Sequence, residues 1–129
     1  MIVDSSALVA ILLDEPEAPR FASYLAAEEV SLSAASLTET LLVLRGNAEE
    51  RIVHELDELL RVTEVTVVPL DERQARLAGD AYVRYGRGSG SRARLNYGDC
   101  FSYALAMSRD EPLLFKGADF VHTDVRLVE

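Results

Sequence analysis

Short apolar segments alternate with helical ones along the whole chain, and this alternation restricts the fold more than any other feature. Ile2-Val3 reads as a buried strand that runs through Asp4-Ser5-Ser6 into a helix over 7–13, which Glu15-Pro16 breaks. Residues 19–27 form a second helix, with Phe21, Leu25 and Tyr24 on its inner side. Val30-Ser31-Leu32-Ser33 is the second strand, and 35–45 spaces Leu37, Leu41 and Leu44 at helical intervals until Gly46-Asn47 ends the turn. From 48 to 61 Ile52, Val53, Leu56, Leu59 and Leu60 make an apolar stripe, while Glu49, Glu50, Glu55 and Glu58 face water. Residues 65–70 are β-branched and bounded by proline, a third strand. Asp71 caps the next helix, which turns Ala75, Ala78, Ala81 and Tyr82 inward. Residues 96–109 are helical, 112–115 a fourth strand, and an irregular segment holding Asp119, Thr123 and Asp124 follows. Strands joined by helices imply parallel pairing, hence an α/β fold of three layers (α/β/α) around a mainly parallel sheet of four or five strands.

The 129 residues suit one domain, taken as 1–129, with one interruption. Residues 86–94, rich in Gly, Ser and Arg, are expected to form a flexible loop rather than a linker, because too little chain follows for a second core. No apolar run approaches the ~18 residues of a membrane span. Met1-Ile2-Val3-Asp4 has no basic region and places an acid inside the first apolar stretch, so a secretory signal is not expected. With Cys100 as the only cysteine, no internal disulfide is possible, and a reducing cytoplasm is the expected setting.

Thirteen basic residues against twenty-two acids leave a net charge of −9, the wrong sign for a nonspecific nucleic-acid binder. Acids gathered around divalent cations would reverse that sign locally, since the bound ion is what a phosphate meets. Ligands of open parallel sheets bind beyond the carboxyl ends of the strands. Asp4 follows the first strand and Asp119 the fourth; Glu39 lies about one turn into the helix after the second, and Asp99 in the first turn of its own helix. Four acids from four separated segments can therefore converge. Carboxylates packed together raise one another's pKa, and a hard cation with oxygen ligands is the usual compensation. Such a site can polarise a phosphodiester and activate an attacking water without a Ser or His nucleophile. No Ser-His-Asp spacing, P-loop or Cys/His zinc set competes with it.

Three of the acids also have a purely structural explanation, whereas Asp119 has none beyond being a turn acid. Asp4 fits an N-cap, Ser36-x-x-Glu39 a capping box, and Asn96-x-x-Asp99 another favourable N-terminal arrangement. Cys100 reads as core filler and His122 as an exposed loop residue. Lys116, the only lysine, could meet a phosphate or a carboxylate. Arg87, Arg92 and Arg94, together with Arg84, could contact RNA phosphates or simply solubilise the loop.

Asp4-Ser5-Ser6-Ala7 after a strand, Thr38-Glu39, 95–104 as LNYGDCFSYA, and 114–124 as LFKGADFVHTD together closely resemble the PIN-domain family, and more narrowly the VapC toxins of type II toxin–antitoxin systems. The similarity runs over residues 1–128. It implies a PIN-like domain and an endoribonuclease dependent on Mg²⁺ or Mn²⁺, acting as a homodimer and restrained by a cognate VapB antitoxin. On that resemblance Asp4, Glu39, Asp99 and Asp119 form the catalytic set. Asp4 and Asp99 are expected to touch the metal, Asp119 to complete its ligands, and Glu39 to join them or act through water. Ser6 matches a supporting hydroxyl, and Thr123 and Asp124 match accessory positions. The expected substrate is single-stranded or loop RNA, whose unstacked nucleotides leave phosphorus open to an in-line water. Two rivals remain. A phosphoaspartyl enzyme with Asp4 as nucleophile is disfavoured by Ser6, where a second Asp would be expected, and a degenerate module that only binds partners is disfavoured by the presence of all four acids.

Overall fold

A computed structural model of the protein describes residues 1–47 and 50–128. Four strands, β1 (Ile2–Val3), β2 (Ser31–Ser33), β3 (Thr66–Val68) and β4 (Leu113–Leu114), pair in parallel in the order β3-β2-β1-β4. Ile2 stands opposite Ser31 on one side and Leu113 on the other, and Ser31, Leu32 and Ser33 face Thr66, Val67 and Val68. A single parallel bridge from Leu113 to Leu127 extends the sheet by one further position. The central strand is thus the first one in the chain, pinned between elements more than eighty residues apart.

Six helices cover the sheet: α1 (Ser5–Leu12), α2 (Ala18–Ala27), α3 (Ala34–Asn47), α4 (Arg51–Val62), α5 (Glu72–Tyr85) and α6 (Asp99–Arg109). Adjacent strand residues point to opposite faces, so Ile2 and Val3, and likewise Leu113 and Leu114, divide between two cores. Ile2 and Leu113 pack with Ala78 and Ala81 of α5 and with Tyr103, Leu105 and their neighbours on α6. Val3, Leu32 and Leu114 pack with Leu8, Phe21, Leu25, Leu44 and Leu56 of α1–α4. These are the three layers expected.

Several boundaries differ from the sequence pattern, each for a local reason. The third strand is shorter than 65–70: Val65 N–H closes the end of α4 on Leu60 O, and Pro69 has no N–H to donate. α6 begins at Asp99 because Asn96 caps it from outside. Ala75 and Tyr82 are exposed, since the buried stripe of α5 runs through Gln74, Ala78 and Ala81. The expected start of a helix at Ala48 and the outward Glu49 lie outside the described residues.

The segment 86–94 forms a loop whose ends and turns are bonded to one another. Gly86 pairs with Leu95, Ser89 Oγ donates to Gly86 O at 2.6 Å, and the Oγ atoms of Ser89 and Ser91 accept from the N–H groups of Ser91 and Ala93 at 3.1 Å each. The small polar residues bond the loop to itself, and Gly88 and Gly90 take the positive φ values its turns demand.

Candidate active site

β1 delivers Asp4 to the rim of the sheet, where its N–H is fixed on Leu114 O. Asp4 caps α1, with Ser6 N–H donating to Oδ2 at 3.0 Å, and it is nearly inaccessible. Capping therefore explains one oxygen only. The other, Oδ1, accepts from Ser102 Oγ at 2.6 Å, a contact between residues 98 apart in sequence.

Glu39 projects from α3, half-buried, and Oε1 accepts from Ser5 Oγ at 2.5 Å. The capping box proposed for it does not form: Ser36 lies inside α3, and its hydroxyl meets Ser102 instead. The carboxylate of Glu39 lies against the backbone of Gly98, where any Cβ would occupy the space of Oε2. Burial raises the pKa of Glu39, the Ser5 bond lowers it, and the charge of Asp4 raises it further, with a net upward shift.

Asp99 is 7 % exposed and exchanges two hydrogen bonds with Asn96: Asn96 N–H donates to Asp99 Oδ2 at 2.9 Å, and Asp99 N–H donates to Asn96 Oδ1 at 2.8 Å. This is the reciprocal arrangement of a capping box, built with Asn and Asp. Burial nevertheless pushes the Asp99 carboxyl up to about 7; the Asn96 N–H opposes the shift, while Asp4, Asp119 and Glu39 each add to it. One carboxyl therefore feels the charge of the other three. Asp119 itself is exposed at the start of a 3₁₀ turn, Asp119–His122.

Among the described residues no three His, Cys, Asp or Glu side chains close up into a ready-made metal cage. Neighbouring residues nonetheless bring three of the acids to one rim: Ser5, beside Asp4, bonds Glu39, and the Glu39 carboxylate lies against Gly98, beside Asp99. The set suits a cation of the magnesium type, which takes hard oxygen donors, keeps several waters, and uses only one or two carboxylates from the protein. A divalent cation would offset the charge of the neighbouring acids, which adds to the effect of burial at Asp99.

The remaining candidates have other partners. Ser6 Oγ accepts from Lys116 N–H at 2.9 Å, tying the segment after β4 to α1. The ammonium of Lys116 is held by Glu15 Oε1 at 2.6 Å and Glu17 Oε2 at 3.3 Å. Thr123 Oγ1 donates to Phe120 O at 2.8 Å and closes its own turn. Asp124 accepts from the Tyr103 hydroxyl at 2.6 Å and lies 3.7 Å from Arg84. Burial raises its pKa, but the Tyr103 bond and Arg84 outweigh that and hold it low. Arg87, Arg92 and Arg94 are exposed, and none pairs with a carboxylate among the described residues.

Sequence reasoning missed Ser5, Ser36, Gly98 and Ser102. One signal was present for two of them: Ser36 precedes Glu39 by three residues and Ser102 follows Asp99 by three, so each hydroxyl shares a helix face with an acid.

A family profile described as PIN domain matches residues 1–126. The chain is 54% identical to ribonuclease VapC28 of Mycobacterium tuberculosis over 127 residues, covering 98% of this chain and 96% of that protein. Among solved structures it resembles the crystal structure of Mycobacterium tuberculosis VapC20, a sarcin–ricin loop cleaving toxin, with a TM-score of 0.80 at 18% identity, covering 99% of this chain and 98% of the other. A toxin–antitoxin complex from Klebsiella pneumoniae aligns with a TM-score of 0.71 at 13% identity, over 98% and 95% of the two chains. At such identities these two show a shared fold.

Proposed function

The chain belongs to the PIN-domain family, and from that premise we propose that it is a VapC-type toxin, an endoribonuclease that uses Mg²⁺ or Mn²⁺ to hydrolyse phosphodiester bonds in single-stranded or loop RNA. The observation that carries this reading is the gathering of three acids at one rim, where Ser5 beside Asp4 bonds Glu39, Glu39 packs against Gly98 beside Asp99, and Ser102 of the Asp99 helix bonds Asp4. Asp4 and Asp99, both fixed by hydrogen bonds, are the direct cation ligands, and Asp119 completes the set from the rim. A bound cation supplies charge for the phosphate and acidity for water. Glu39, held at one oxygen by Ser5 and raised in pKa, orients the attacking water and takes up its proton. Arg87, Arg92 and Arg94 supply unpaired positive charge for the RNA backbone, with residues 1–129 acting as one nuclease domain.

Asp99→Asn tests the proposal. The variant should fold yet lose cleavage of single-stranded RNA with Mg²⁺ or Mn²⁺ present, by about 10² or more, and should no longer inhibit growth. Near-normal cleavage would return Asp99 to a capping role.

A VapB-type antitoxin is the proposed regulator, with a basic segment suited to a chain of net charge −9. The proposed setting is the cytoplasm, and among the described residues no helix is long and apolar enough to cross a membrane. The homodimer is proposed to form on a mainly apolar strip that borders Glu39. Leu70, Ala78 and Tyr82 line one groove, Ala35 and Leu42 another, and Tyr97 and Phe101 line both. Tyr97 is 76% and Leu42 67% exposed. An exposed apolar surface of this kind marks an interface between copies.

A further inference from the structure

Behind the acids lies a chain of hydroxyl groups. Ser36 and Ser102 are both wholly buried, and their Oγ atoms are 3.0 Å apart. Ser102 has one hydroxyl proton, and it is directed to Asp4 Oδ1. Ser36 must therefore be the donor in the serine–serine bond, and the chain runs from Ser36 to Ser102 to Asp4.

The fold alone does not call for these serines. Alanine is the better helix former, and a hydroxyl taken out of water costs free energy unless it is bonded. Their placement follows the acids instead. Ser36 shares a face of α3 with Glu39, and Ser102 shares a face of α6 with Asp99. Where the two hydroxyls touch, the two acid-bearing helices are locked together, and Asp4 is bonded to the same point. Ser102 at Oδ1 and Ser6 N–H at Oδ2 together fix the plane of the Asp4 carboxylate. A carboxylate oxygen that accepts one hydrogen bond still has a lone pair for a cation.

We propose that Ser102, backed by Ser36, is a positioning pair that orients Asp4 for a divalent cation and sets the spacing between the acids of α3 and α6. The inference rests on the reading of Asp4 as a cation ligand. Partners that orient metal ligands in this way typically change metal affinity 10–100-fold when removed.

The test is calorimetric titration of the metal-free protein with Mn²⁺, for wild type, Asp4→Asn, Ser102→Ala, Ser36→Ala and the double variant Asp4→Asn/Ser102→Ala, each also melted in chelator. Ser102→Ala should bind Mn²⁺ at least tenfold more weakly than wild type, and Ser36→Ala should weaken it by a smaller factor, with both melting near wild type in chelator. Adding Ser102→Ala to Asp4→Asn should weaken binding no further. Wild-type affinity in Ser102→Ala alongside lost affinity in Asp4→Asn would overturn the positioning pair and leave the ligand standing. Wild-type affinity in Asp4→Asn would overturn the ligand reading itself. Should Ser102→Ala fail to fold, Ser36→Ala decides, because it touches no acid: a folded variant with unchanged Mn²⁺ affinity would sink the proposal.

Discussion

Asp99 combines two roles that oppose each other in the metal-free protein. Its bonds with Asn96 start a helix, while burial and three neighbouring acids oppose its charge. Its folded pKa of about 7 lies above the ordinary 3.8. The stability linked to this group is therefore complete below pH 3.8 and is lost as pH rises through 7. Asp99→Asn carries no such penalty. In chelator at pH 8 the variant should melt above wild type, and the difference should vanish near pH 4. Mn²⁺ at ~100 times its dissociation constant should add ~2.7 kcal/mol to wild type, several degrees in melting temperature, and little to the variant. A helix cap alone would give the reverse: a variant weaker by ~0.5–2 kcal/mol and a wild type indifferent to Mn²⁺. Gly98 makes a second test, because any Cβ there displaces the Glu39 carboxylate. Gly98→Ala should lower cleavage by about 10²-fold, the scale of a 1 Å misplacement, with a near-normal melting curve. Full activity would mean that Glu39 needs no fixed position.

At the level of elements, the sequence showed where acids leave strands but not what holds them. Asp4 after Ile2-Val3, and Asp99 three residues beyond Asn96, were readable because caps and strand ends are local patterns. Ser102 on Asp4 was not, since a contact across 98 residues exists only after the sheet has brought α6 to β1. Nor does composition tell how the 86–94 loop is bonded: its serines meet loop backbone groups. Arg87, Arg92 and Arg94 are consequently displayed on a shaped loop. Replacing all three with Gln should leave the melting curve unchanged, because none of them pairs with a carboxylate among the described residues. It should flatten the salt dependence of single-strand RNA binding by up to ~0.7 per lost phosphate contact. An unchanged slope, measured by titration across salt concentrations, would remove the loop from the RNA path.

For the whole molecule, the homodimer proposed on the strip from Leu70 and Tyr82 through Tyr97 and Phe101 to Leu42 can be tested directly. Sedimentation of wild type should give twice the chain mass, and Leu42→Ser with Tyr97→Ser should give once the chain mass at the same micromolar concentration. A monomeric wild type, or a dimer unmoved by the pair, would place the interface elsewhere. The order β3-β2-β1-β4 bears on synthesis as well. The strand that carries Asp4 is translated before its neighbours, yet one of the two, β4, follows more than a hundred residues later, and Asp119 later still. Until then β1 has an open edge, and the acid cluster lacks a member. A nascent chain is therefore inert as a nuclease until β4 and Asp119 have emerged, and it can threaten the RNA of its own translation machinery only after that point.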